Sequence, residues 1–353
     1  MKKLKLTCAH AIVKHLIAQK ILIDGKKQPL FPGAFGIFGH GNVACLGQAL
    51  EENKDKLPTY RGHHEQNMAL TGVAYSRAKR RKQIFIATSS VGPGSTNLVT
   101  AAAVAMSNRI PILFLPGDTY ANRMPDPVLQ QVEHFNNPGI TANDAFKPVT
   151  RYFDRITRPE QILQSLPQAI QVMIDPADAG PACLSLCQDI QGETFDYPEE
   201  FFKERIHAIR RPKPDDFEIK NAAEKIKNSK NPIIISGGGV FYSDAMEELG
   251  NFAIKHNIPV TQTVMGYSTM KRDHSHFLGP IGGLGGKAAN NFAKKTDLAI
   301  AIGTKLADFT TGSWANFENP NFGLVSLNIT RHDANKHLAQ AVVGDAKVSL
   351  VEL

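Results

Sequence analysis

Short apolar runs alternate with helix-like segments over the first half of the chain. The runs begin near residues 33, 83, 110 and 182 and read GAFGIFG, QIFIATSS, IPILFLPG and ACLSLCQDI. They are nearly continuous in apolar character, as expected for parallel strands that are buried on both faces. Between them, residues 68–80 and 98–106 have the spacing of helices that pack on a sheet. The pattern predicts a parallel sheet covered by helices.

The same order of elements returns in the second half of the chain. Helices are predicted at residues 216–228, in a segment that ends near residue 256, and at residues 287–295. Strands begin near residues 231, 258, 298 and 323. Apolar strands that alternate with helices are typical of a doubly wound α/β domain. Two similar units suggest an internal duplication, but the residues themselves show no repeat. The fold class predicted for the chain is therefore α/β, with two doubly wound parallel-sheet domains.

The domain boundary is predicted from a change in composition. Residues 193–214 read ETFDYPEEFFKERIHAIRRPKP, which is charged, contains proline and has little aliphatic pattern. Such a stretch is typical of a connection between domains. We therefore expect a first domain at residues 1–192, a linker at 193–214 and a second domain at 215–353. A length of 353 residues also favours two domains.

Composition narrows the class of protein further. No apolar run approaches the roughly 18 residues that span a bilayer, and the opening segment does not resemble a signal peptide. A cytoplasmic protein with no membrane contact is expected. The four cysteines are few and scattered, and they are expected to be buried thiols.

The net charge of +7 is compatible with nucleic-acid binding but does not establish it. Much of the excess lies in two local runs, at residues 77–82 and 203–230, and neither contains aromatic residues spaced for stacking on bases. A solvated helix end and a basic linker explain these runs. No nucleic-acid partner is therefore expected.

Four glycine-rich turns follow apolar runs, at residues 38–41, 90–94, 236–239 and 282–286. Open α/β sheets bind ligands at the carboxyl ends of their strands, and glycine lets a backbone approach a phosphate or a flat ring closely. Tight turns also need glycine without any ligand. None of these turns matches a Walker A loop, and the third lacks the pattern of a dinucleotide site. No metal site is expected, because His63 and His64 lack a third ligand at metal spacing.

Glu65 is the most informative residue. It follows a polar loop, in Tyr60-Arg-Gly-His-His-Glu-Gln-Asn-Met-Ala-Leu, and starts an apolar helix. A glutamate there can simply complement the helix dipole. Three companion segments favour a functional role. They read FGIFGHGN, ATSSVGPGSTNLVTAAAVAMSNRIPILFLPGD and DPVLQQVEHF.

Together these segments resemble the thiamine-diphosphate-dependent enzymes related to acetohydroxyacid synthase, in which an xHEQxxA helix start and a GPGxxN turn recur in this order. The resemblance covers the whole chain. It implies that the first domain is the pyrimidine-binding domain and that residues 215–345, with NPIIISGGGV and LAIAIGTKLADFTTG, are the Rossmann-like central domain. It also implies the cofactors thiamine diphosphate and Mg²⁺.

The resemblance implies roles for five residues. Glu65 would be the catalytic residue, with its carboxyl group hydrogen-bonded to N1′ of the aminopyrimidine ring. Pro93, Gly94 and Asn97 would line the edge of that ring. Gln130 would face the reacting centre across a subunit interface, as expected of a homodimer or homotetramer.

Longer strings resemble one branch of the family, which hydrolyses a C–C bond of a cyclic trihydroxy dione to give 5-deoxy-glucuronic acid during inositol catabolism. They include SSVGPGSTNLVTAAA, LPGDTYANRMPDPVLQQVE and NDAFKPVTRYFDRITRPEQ. The resemblance implies the cyclic dione as substrate, and His40, His63, His64 and His134 are candidates for protonating one of its oxygens. The alternatives are an acetolactate synthase-like enzyme or another thiamine-diphosphate lyase or decarboxylase, and a non-catalytic subunit that binds a nucleotide or FAD or serves as a scaffold.

Family members carry a third domain whose GDG motif holds magnesium and the diphosphate. This chain has Gly117-Asp118-Thr119 and Gly344-Asp345-Ala346, and neither can head such a domain. The diphosphate-binding domain is therefore expected to be absent. We expect the chain to be inactive alone, or active only when a separate chain supplies that domain.

Overall fold

A computed structural model of the protein describes residues 2–122 and 124–353. The chain divides into two compact units, of which the first ends at Ile209 and the second begins at Arg210. Each unit contains its own parallel sheet and is described by itself.

The first unit contains twelve strands and eight α-helices in its described part. The strands are β1 Lys3–Thr7, β2 Gln19–Ile23, β3 Lys26–Pro29, β4 Ala34–Ile37, β5 Thr59–Arg61, β6 Ile86–Ser89, β7 Leu113–Phe114, β8 Gly117–Asp118, β9 Tyr152–Ile156, β10 Ala182–Cys187, β11 Thr194–Pro198 and β12 Arg205–His207. The helices are α1 Cys8–Ala18, α2 Gly39–Asn42, α3 Gln48–Glu51, α4 Glu65–Ala78, α5 Pro93–Thr96, α6 Val99–Asn108, α7 Ile162–Ile174 and α8 Gln188–Gly192. A π-helical turn, Val43–Gly47, joins α2 to α3, and 3-10 helices span Ala142–Val149, Pro159–Gln161 and Glu199–Phe202.

The main sheet of the first unit is parallel. Its order is β5-β4-β6-β7-β10, with β8 continuing along β10 after β7, and β9 also pairing with β10. From β4 the chain moves to β5 on one side, and it then returns to β6 on the other side of β4. The carboxyl ends of β4 and β6 therefore mark the point where the direction of winding reverses, which is where open α/β sheets form a crevice for ligands.

Helices cover both faces of this sheet, because alternate residues of a strand point to opposite faces. Ile86 joins a core cluster that includes residues of α1 and α7. Its neighbour Phe85 points the other way, so that a Cβ added to Gly72 of α4 would lie 3.1 Å from Phe85 Cβ. Burial on both faces explains why the strands are almost continuously apolar.

The predicted linker at residues 193–214 is different in the structure, where residues 194–207 are built into the first unit. Strand β11 pairs with β1 in antiparallel orientation and β12 pairs with β2 in parallel orientation. Tyr197 is fully buried and donates a hydrogen bond from Oη to Pro159 O at 2.8 Å. Four aromatic side chains of this charged stretch pack in or against the core of the first unit: Phe195, Tyr197, Phe201 and Phe202.

The second unit contains six strands and seven α-helices in its described residues. The strands are β13 Pro232–Ser236, β14 Val260–Gln262, β15 Phe277–Pro280, β16 Leu298–Ile302, β17 Gly323–Asn328 and β18 Gln340–Val343. The helices are α9 Asp216–Asn228, α10 Gly238–Tyr242, α11 Met246–His256, α12 Lys287–Lys295, α13 Asp308–Thr311, α14 Arg331–Ala334 and α15 Ala346–Glu352, and a 3-10 helix spans Lys336–Leu338.

All six strands of the second unit are parallel, in the order β15-β14-β13-β16-β17-β18. This is the order of the doubly wound dinucleotide-binding fold, with its switch point between β13 and β16. The predicted α/β class is confirmed for both units. The sequence did not predict β15 or β18, which are short edge strands of four residues each.

Two further expectations concern the cysteines and membrane-spanning helices. Cys8, Cys183 and Cys187 are buried and Cys45 is half-buried, and none of the four forms a disulfide in the described part of the chain. Within residues 2–122 and 124–353, no helix is both long and apolar enough to cross a membrane.

Candidate functional site

Glu65 occupies the first position of α4. The preceding residue, His64, has an extended backbone with φ −155° and ψ 126°, and no side chain caps the helix. The carboxyl group therefore lies near the positive end of the helix dipole, as a dipole-complementing residue would. Glu65 is half-buried, whereas His63 and His64 are exposed.

The Glu65 carboxyl group also has a specific partner, and this separates it from a simple helix-start glutamate. Asn97 Nδ2 donates a hydrogen bond to Glu65 Oε2 at 2.7 Å and lies 3.5 Å from His64 Nε2. The other oxygen, Oε1, faces the glycine turn, because a Cβ added to Gly94 would lie 3.5 Å from it. The structure thus brings together three of the five predicted residues: Glu65, Gly94 and Asn97.

The turn that carries Gly94 requires glycine at position 92. Gly92 has φ 68° and ψ −121°, and a Cβ at this position would collide with the carbonyl group of Gln130. Pro93 follows as the first residue of α5, where proline is favoured because the missing N–H would be unpaired in any case. Pro93 is exposed at the rim of the turn.

Gln130 lies next to this turn through its backbone. Its side chain is exposed and its φ is 63°. The neighbouring Gln131 holds the segment, since its Oε1 accepts hydrogen bonds from Thr119 Oγ1 and Val128 N, both at 3.0 Å. The role of Gln130 across a subunit interface stays a prediction.

The turn after β4 packs against the turn after β6 at the switch point. Gly39 has φ 52°, and a Cβ at this position would lie 2.5 Å from Ser90 Oγ. A Cβ on Gly41 would lie 3.1 Å from Val91 N. Two polar atoms of these turns, His40 Nε2 and Ser90 Oγ, are buried and have no hydrogen-bond partner among the described residues. The crevice is therefore lined by glycine backbone and by polar side-chain atoms that have no hydrogen-bond partner in the described part of the chain.

Asn42 holds the turn after β4 in place through hydrogen bonds of its buried side chain. It is fully buried, and its Nδ2 donates to Thr88 Oγ1 at 2.7 Å and to Ser89 O at 2.9 Å. Its Oδ1 accepts from Gln191 Nε2 at 2.9 Å. The π-helical turn begins at the next residue, and such turns occur frequently at functional sites. Asn42 appeared in the sequence only as part of the FGIFGHGN string.

A second buried network lies behind α5 and was not predicted. Asn143 is its centre, with Nδ2 donating to Ser185 Oγ at 2.7 Å and Oδ1 accepting from Ser95 Oγ of α5. Ser185 in turn donates to Asp118 Oδ2, which also accepts from Arg155 Nε at 2.8 Å. These residues are far apart in the sequence and have no periodic spacing, so only the fold shows that they meet.

Arg155 carries the charge in this network. Burial alone would lower the pKa of its guanidinium group, but the carboxylates of Asp118 and Asp144 outweigh that effect and raise the pKa. For Asp144, burial would raise the pKa, and hydrogen bonds from Lys147, the Thr141 backbone and Arg155 lower it instead. Both groups therefore stay charged, and the ion pairs form a rigid support behind α5.

His134, the remaining candidate histidine, is distant from Glu65 in the sequence and is exposed to solvent. His134 belongs to residues 119–140, a segment that also exposes large apolar side chains. Met124 is 89% exposed and Phe135 is 92% exposed. Among the described residues, no three His, Cys, Asp or Glu side chains come together as a metal site.

The glycine-rich turns of the second unit have a different environment. Gly239 N donates to Gly303 O at 2.9 Å, and a Cβ on Gly239 would lie 2.6 Å from Gly303 Cα. A Cβ on Gly237 would lie 2.8 Å from Thr304 Cα. These glycines therefore allow two turns to pack backbone against backbone at the switch point between β13 and β16.

Comparison with known proteins identifies two domains along the chain. Residues 21–137 match the model of the thiamine pyrophosphate enzyme N-terminal TPP-binding domain, and residues 219–353 match that of the central domain. Thiamine pyrophosphate and thiamine diphosphate are the same compound. A carboxyl group with one oxygen facing a glycine turn, and unused polar atoms nearby, fits the hydrogen-bonding edge of its aminopyrimidine ring.

Curated relatives match along the whole chain. The chain is 48% identical over 352 residues to a 3D-(3,5/4)-trihydroxycyclohexane-1,2-dione hydrolase of Bacillus subtilis, covering 100% of this chain and 55% of the relative. It is 49% identical over 350 residues to a protein of the same name from Clostridium tetani, covering 99% of this chain and 54% of the relative. The chain thus spans about half the length of these relatives. It belongs to the thiamine pyrophosphate enzymes and carries their N-terminal TPP-binding domain and their central domain.

Proposed function

We propose that the whole protein is a thiamine-diphosphate-dependent hydrolase that opens the ring of 3D-(3,5/4)-trihydroxycyclohexane-1,2-dione in inositol catabolism. The observation that carries the proposal is the identity of 48% and 49% along nearly the whole chain to relatives of that name. The Glu65 site adds chemical support from the structure. The reaction consumes one water: the bond between the two carbonyl carbons breaks, one carbon becomes a carboxylic acid and the other gains hydrogen, giving 5-deoxy-glucuronic acid.

The residues of the first unit would bind the aminopyrimidine ring and move its protons. Thiamine diphosphate, when bound, supplies the carbanion and the electron sink that C–C cleavage beside a carbonyl group needs. Glu65 Oε1 would hold a shared proton against the ring nitrogen N1′. Asn97 occupies Oε2 at 2.7 Å, so it fixes the plane of the carboxyl group and leaves Oε1 for the ligand.

The glycine turn would let the ring approach closely. Gly94 has no Cβ, and the space that a Cβ would fill lies 3.5 Å from Glu65 Oε1. Pro93 and Gly94 would line the edge of the ring, and Gln130 would approach it from the segment that abuts Gly92. Of the four candidate histidines, His64 is the one that the structure places near Asn97, which favours it for contact with a substrate oxygen.

We further propose Mg²⁺ as the companion of the diphosphate, and a homodimer or homotetramer as the assembled form. Val132, which is 50% exposed, lies beside the Gly92 turn, and the exposed apolar residues Met124, Leu129 and Phe135 belong to the same stretch of chain; these side chains support burial against a second copy of the protein. A cytoplasmic location stays a prediction.

Substrate choice tests the proposal directly. The chain supplied with a diphosphate-binding domain, thiamine diphosphate and Mg²⁺ should convert the cyclic dione to an open-chain acid and should not condense pyruvate. Consumption of the dione can be followed together with the appearance of the acid. Turnover of pyruvate in place of the dione would show an acetolactate synthase-like enzyme instead.

The expected need for a diphosphate-binding domain has its own test. The 353-residue chain can be compared with a version joined to the C-terminal part of the Bacillus subtilis relative. We expect ring opening only in the longer version, or when the added part is supplied as a separate chain. Equal turnover by the 353-residue chain alone would show that its own residues hold the diphosphate.

A further inference from the structure

Asn143 is a buried amide that uses all of its polar groups. It is the second residue of the 3-10 helix Ala142–Val149 and is 1% exposed. Its backbone N–H donates to Thr141 Oγ1 at 3.2 Å, and its side-chain Nδ2 donates to Gly117 O at 2.9 Å and to Ser185 Oγ at 2.7 Å. Its Oδ1 accepts from Ser95 Oγ. An amide bonded on every side has one orientation, so it can transmit position from one element to another.

The two sides of Asn143 belong to different parts of the first unit. Gly117 and Ser185 lie on the strands β8 and β10, and Asp118 and Arg155 extend that side with an ion pair at 2.8 Å. This side is the rigid one, because it consists of paired strands and a partly buried ion pair. The other side is Ser95, which lies in the middle of α5.

Helix α5 cannot hold its own position. It has four residues, which is a single turn, and a single turn is unstable without tertiary contacts. Yet its geometry decides how Glu65 is held, since Gly94 faces Oε1 and Asn97, the residue that ends α5, donates to Oε2. Ser95 is fully buried, and its hydroxyl group is bonded to Asn143.

We propose that Asn143 is a positioning residue for the thiamine diphosphate site: through Ser95 it fixes α5 to the sheet, so that Gly94 and Asn97 keep their places against the two oxygens of Glu65. This inference rests on the proposed function for the identity of the ligand. The hydrogen-bond partners of Asn143 are Ser95, Thr141, Gly117 and Ser185, so it acts on Glu65 and Asn97 through Ser95.

Two matched serine variants separate this role from a general loss of stability. Ser95→Ala cuts only the link between Asn143 and α5. Ser165→Ala removes another buried serine of the first unit, 2% exposed, whose hydroxyl group bonds to Asp154 Oδ2 and Gln161 O on the α7 side. Both variants should lower the melting temperature, and Ser165→Ala at least as much as Ser95→Ala, because its hydroxyl group bonds to a carboxylate as well as to a carbonyl oxygen.

Their effects on the ligand should differ. In the version joined to the diphosphate-binding domain, with Mg²⁺, Ser95→Ala should weaken thiamine diphosphate binding about tenfold by calorimetry, as the loss of one buried hydrogen bond predicts. Ser165→Ala should change the affinity less than twofold. Without any cofactor, amide hydrogen exchange of residues 93–97 should become faster in Ser95→Ala and stay unchanged in Ser165→Ala. Asn143→Ala should combine the affinity loss of Ser95→Ala with a larger fall in melting temperature.

The outcomes are distinct. If Ser95→Ala and Ser165→Ala change affinity and exchange equally, Asn143 serves only the stability of the unit and the inference is wrong. The same follows if Ser95→Ala speeds exchange of residues 93–97 without weakening binding. If the version joined to the diphosphate-binding domain does not bind thiamine diphosphate, the proposed function fails, whereas the exchange measurement still tests the link from Asn143 to α5.

Discussion

Each unit has a switch point at which two neighbouring turns pack closely together, and the two switch points differ in the side chains beside these turns. In both, a glycine-rich turn follows a central parallel strand and meets the turn of the neighbouring strand. Between β13 and β16 the two turns meet backbone to backbone, with Gly239 N bonded to Gly303 O. Between β4 and β6 the turns hold unused polar atoms, His40 Nε2 and Ser90 Oγ, and Glu65 with Asn97 stands beside them.

The comparison shows that glycine alone does not indicate a ligand site. Glycine permits close approach, and at either switch point the approaching group can be protein or ligand. The first unit differs because α4 and α5 bring a carboxyl group and an amide to the crevice, and these groups can bind a ring nitrogen and exchange its proton. The predictions below test this difference, beginning with the largest effect.

In the version joined to the diphosphate-binding domain, Glu65→Gln should have the largest effect on activity. The amide keeps the shape of the side chain but cannot share a proton as a carboxyl group does, so turnover of the dione should fall at least a hundredfold. The melting temperature should change little. Glu51→Gln, at an exposed position paired with Lys54, is the matched control and should keep full turnover. Normal turnover by Glu65→Gln would remove the functional distinction between the two crevices.

A pair of glycine substitutions sharpens the comparison. Gly92→Ala forces a side chain into a positive-φ position against the Gln130 carbonyl, and Gly239→Ala forces one against Gly303. Each should cost about 1–3 kcal/mol in the free energy of unfolding, measured by urea denaturation.

Only one of the two should affect the cofactor. Gly92→Ala should also weaken thiamine diphosphate binding, whereas Gly239→Ala should leave the affinity of the folded protein unchanged. A loss of affinity in Gly239→Ala that matches the loss in Gly92→Ala would place a ligand at the second crevice as well.

Asn97→Ala should have a smaller effect. It removes the hydrogen bond to Glu65 Oε2 and frees the carboxyl group to rotate, so cofactor affinity should fall about tenfold. Asn97→Asp places a second carboxylate against Glu65 and should be worse than alanine, because like charges repel at this distance. Binding as tight as that of the unmodified protein in Asn97→Ala would show that the amide does not orient the glutamate.

The smallest predicted effect is a loss of stability of the first unit as the pH falls below neutral. Burial lowers the pKa of His15 and of His207 in the first unit from 6.5 to about 4, and nearby arginine charge acts in the same direction on His207. Because the folded state favours the neutral form, their contribution to stability is complete above pH 6.5. It is lost as the pH falls from 6.5 towards 4.

This acid response can be measured by comparing melting temperatures at pH 7 and pH 5. The fall should be smaller in His207→Gln, which keeps a polar group beside Gln19. The exposed His134→Gln is the control and should show the full fall. An equal fall in all three proteins would mean that His207 does not titrate with folding.

The sequence predicted the carboxyl group and its turn because these residues form short, ordered motifs. Glu65, Gly94 and Asn97 come together in the structure as the xHEQxxA and GPGxxN motifs imply. Asn42 and Asn143 could not be predicted in this way. The partners of their side chains lie 26 to 149 positions away in the chain, and buried polar contacts of this kind leave no periodic signal.

The fold shows the same division between local and distant signals. Strands such as β6 and β16 are buried on both faces, and a continuous apolar run identifies them. Strands β11 and β12 are edge strands with charged residues, so composition suggested a linker where the structure has strands paired with β1 and β2. What distinguishes them is the burial of Tyr197 and His207, which depends on their neighbours in the fold.

Amide hydrogen exchange of the version joined to the diphosphate-binding domain, with and without thiamine diphosphate and Mg²⁺, tests the central claim most directly, because it reports on both crevices in one experiment. We predict that the cofactor protects the start of α4 and residues 90–97 of the first unit, and that residues 237–241 and 303–306 of the second unit exchange as before. Protection at residues 237–241 and 303–306, with none at residues 90–97, would contradict the assignment of the site to Glu65 and its turn.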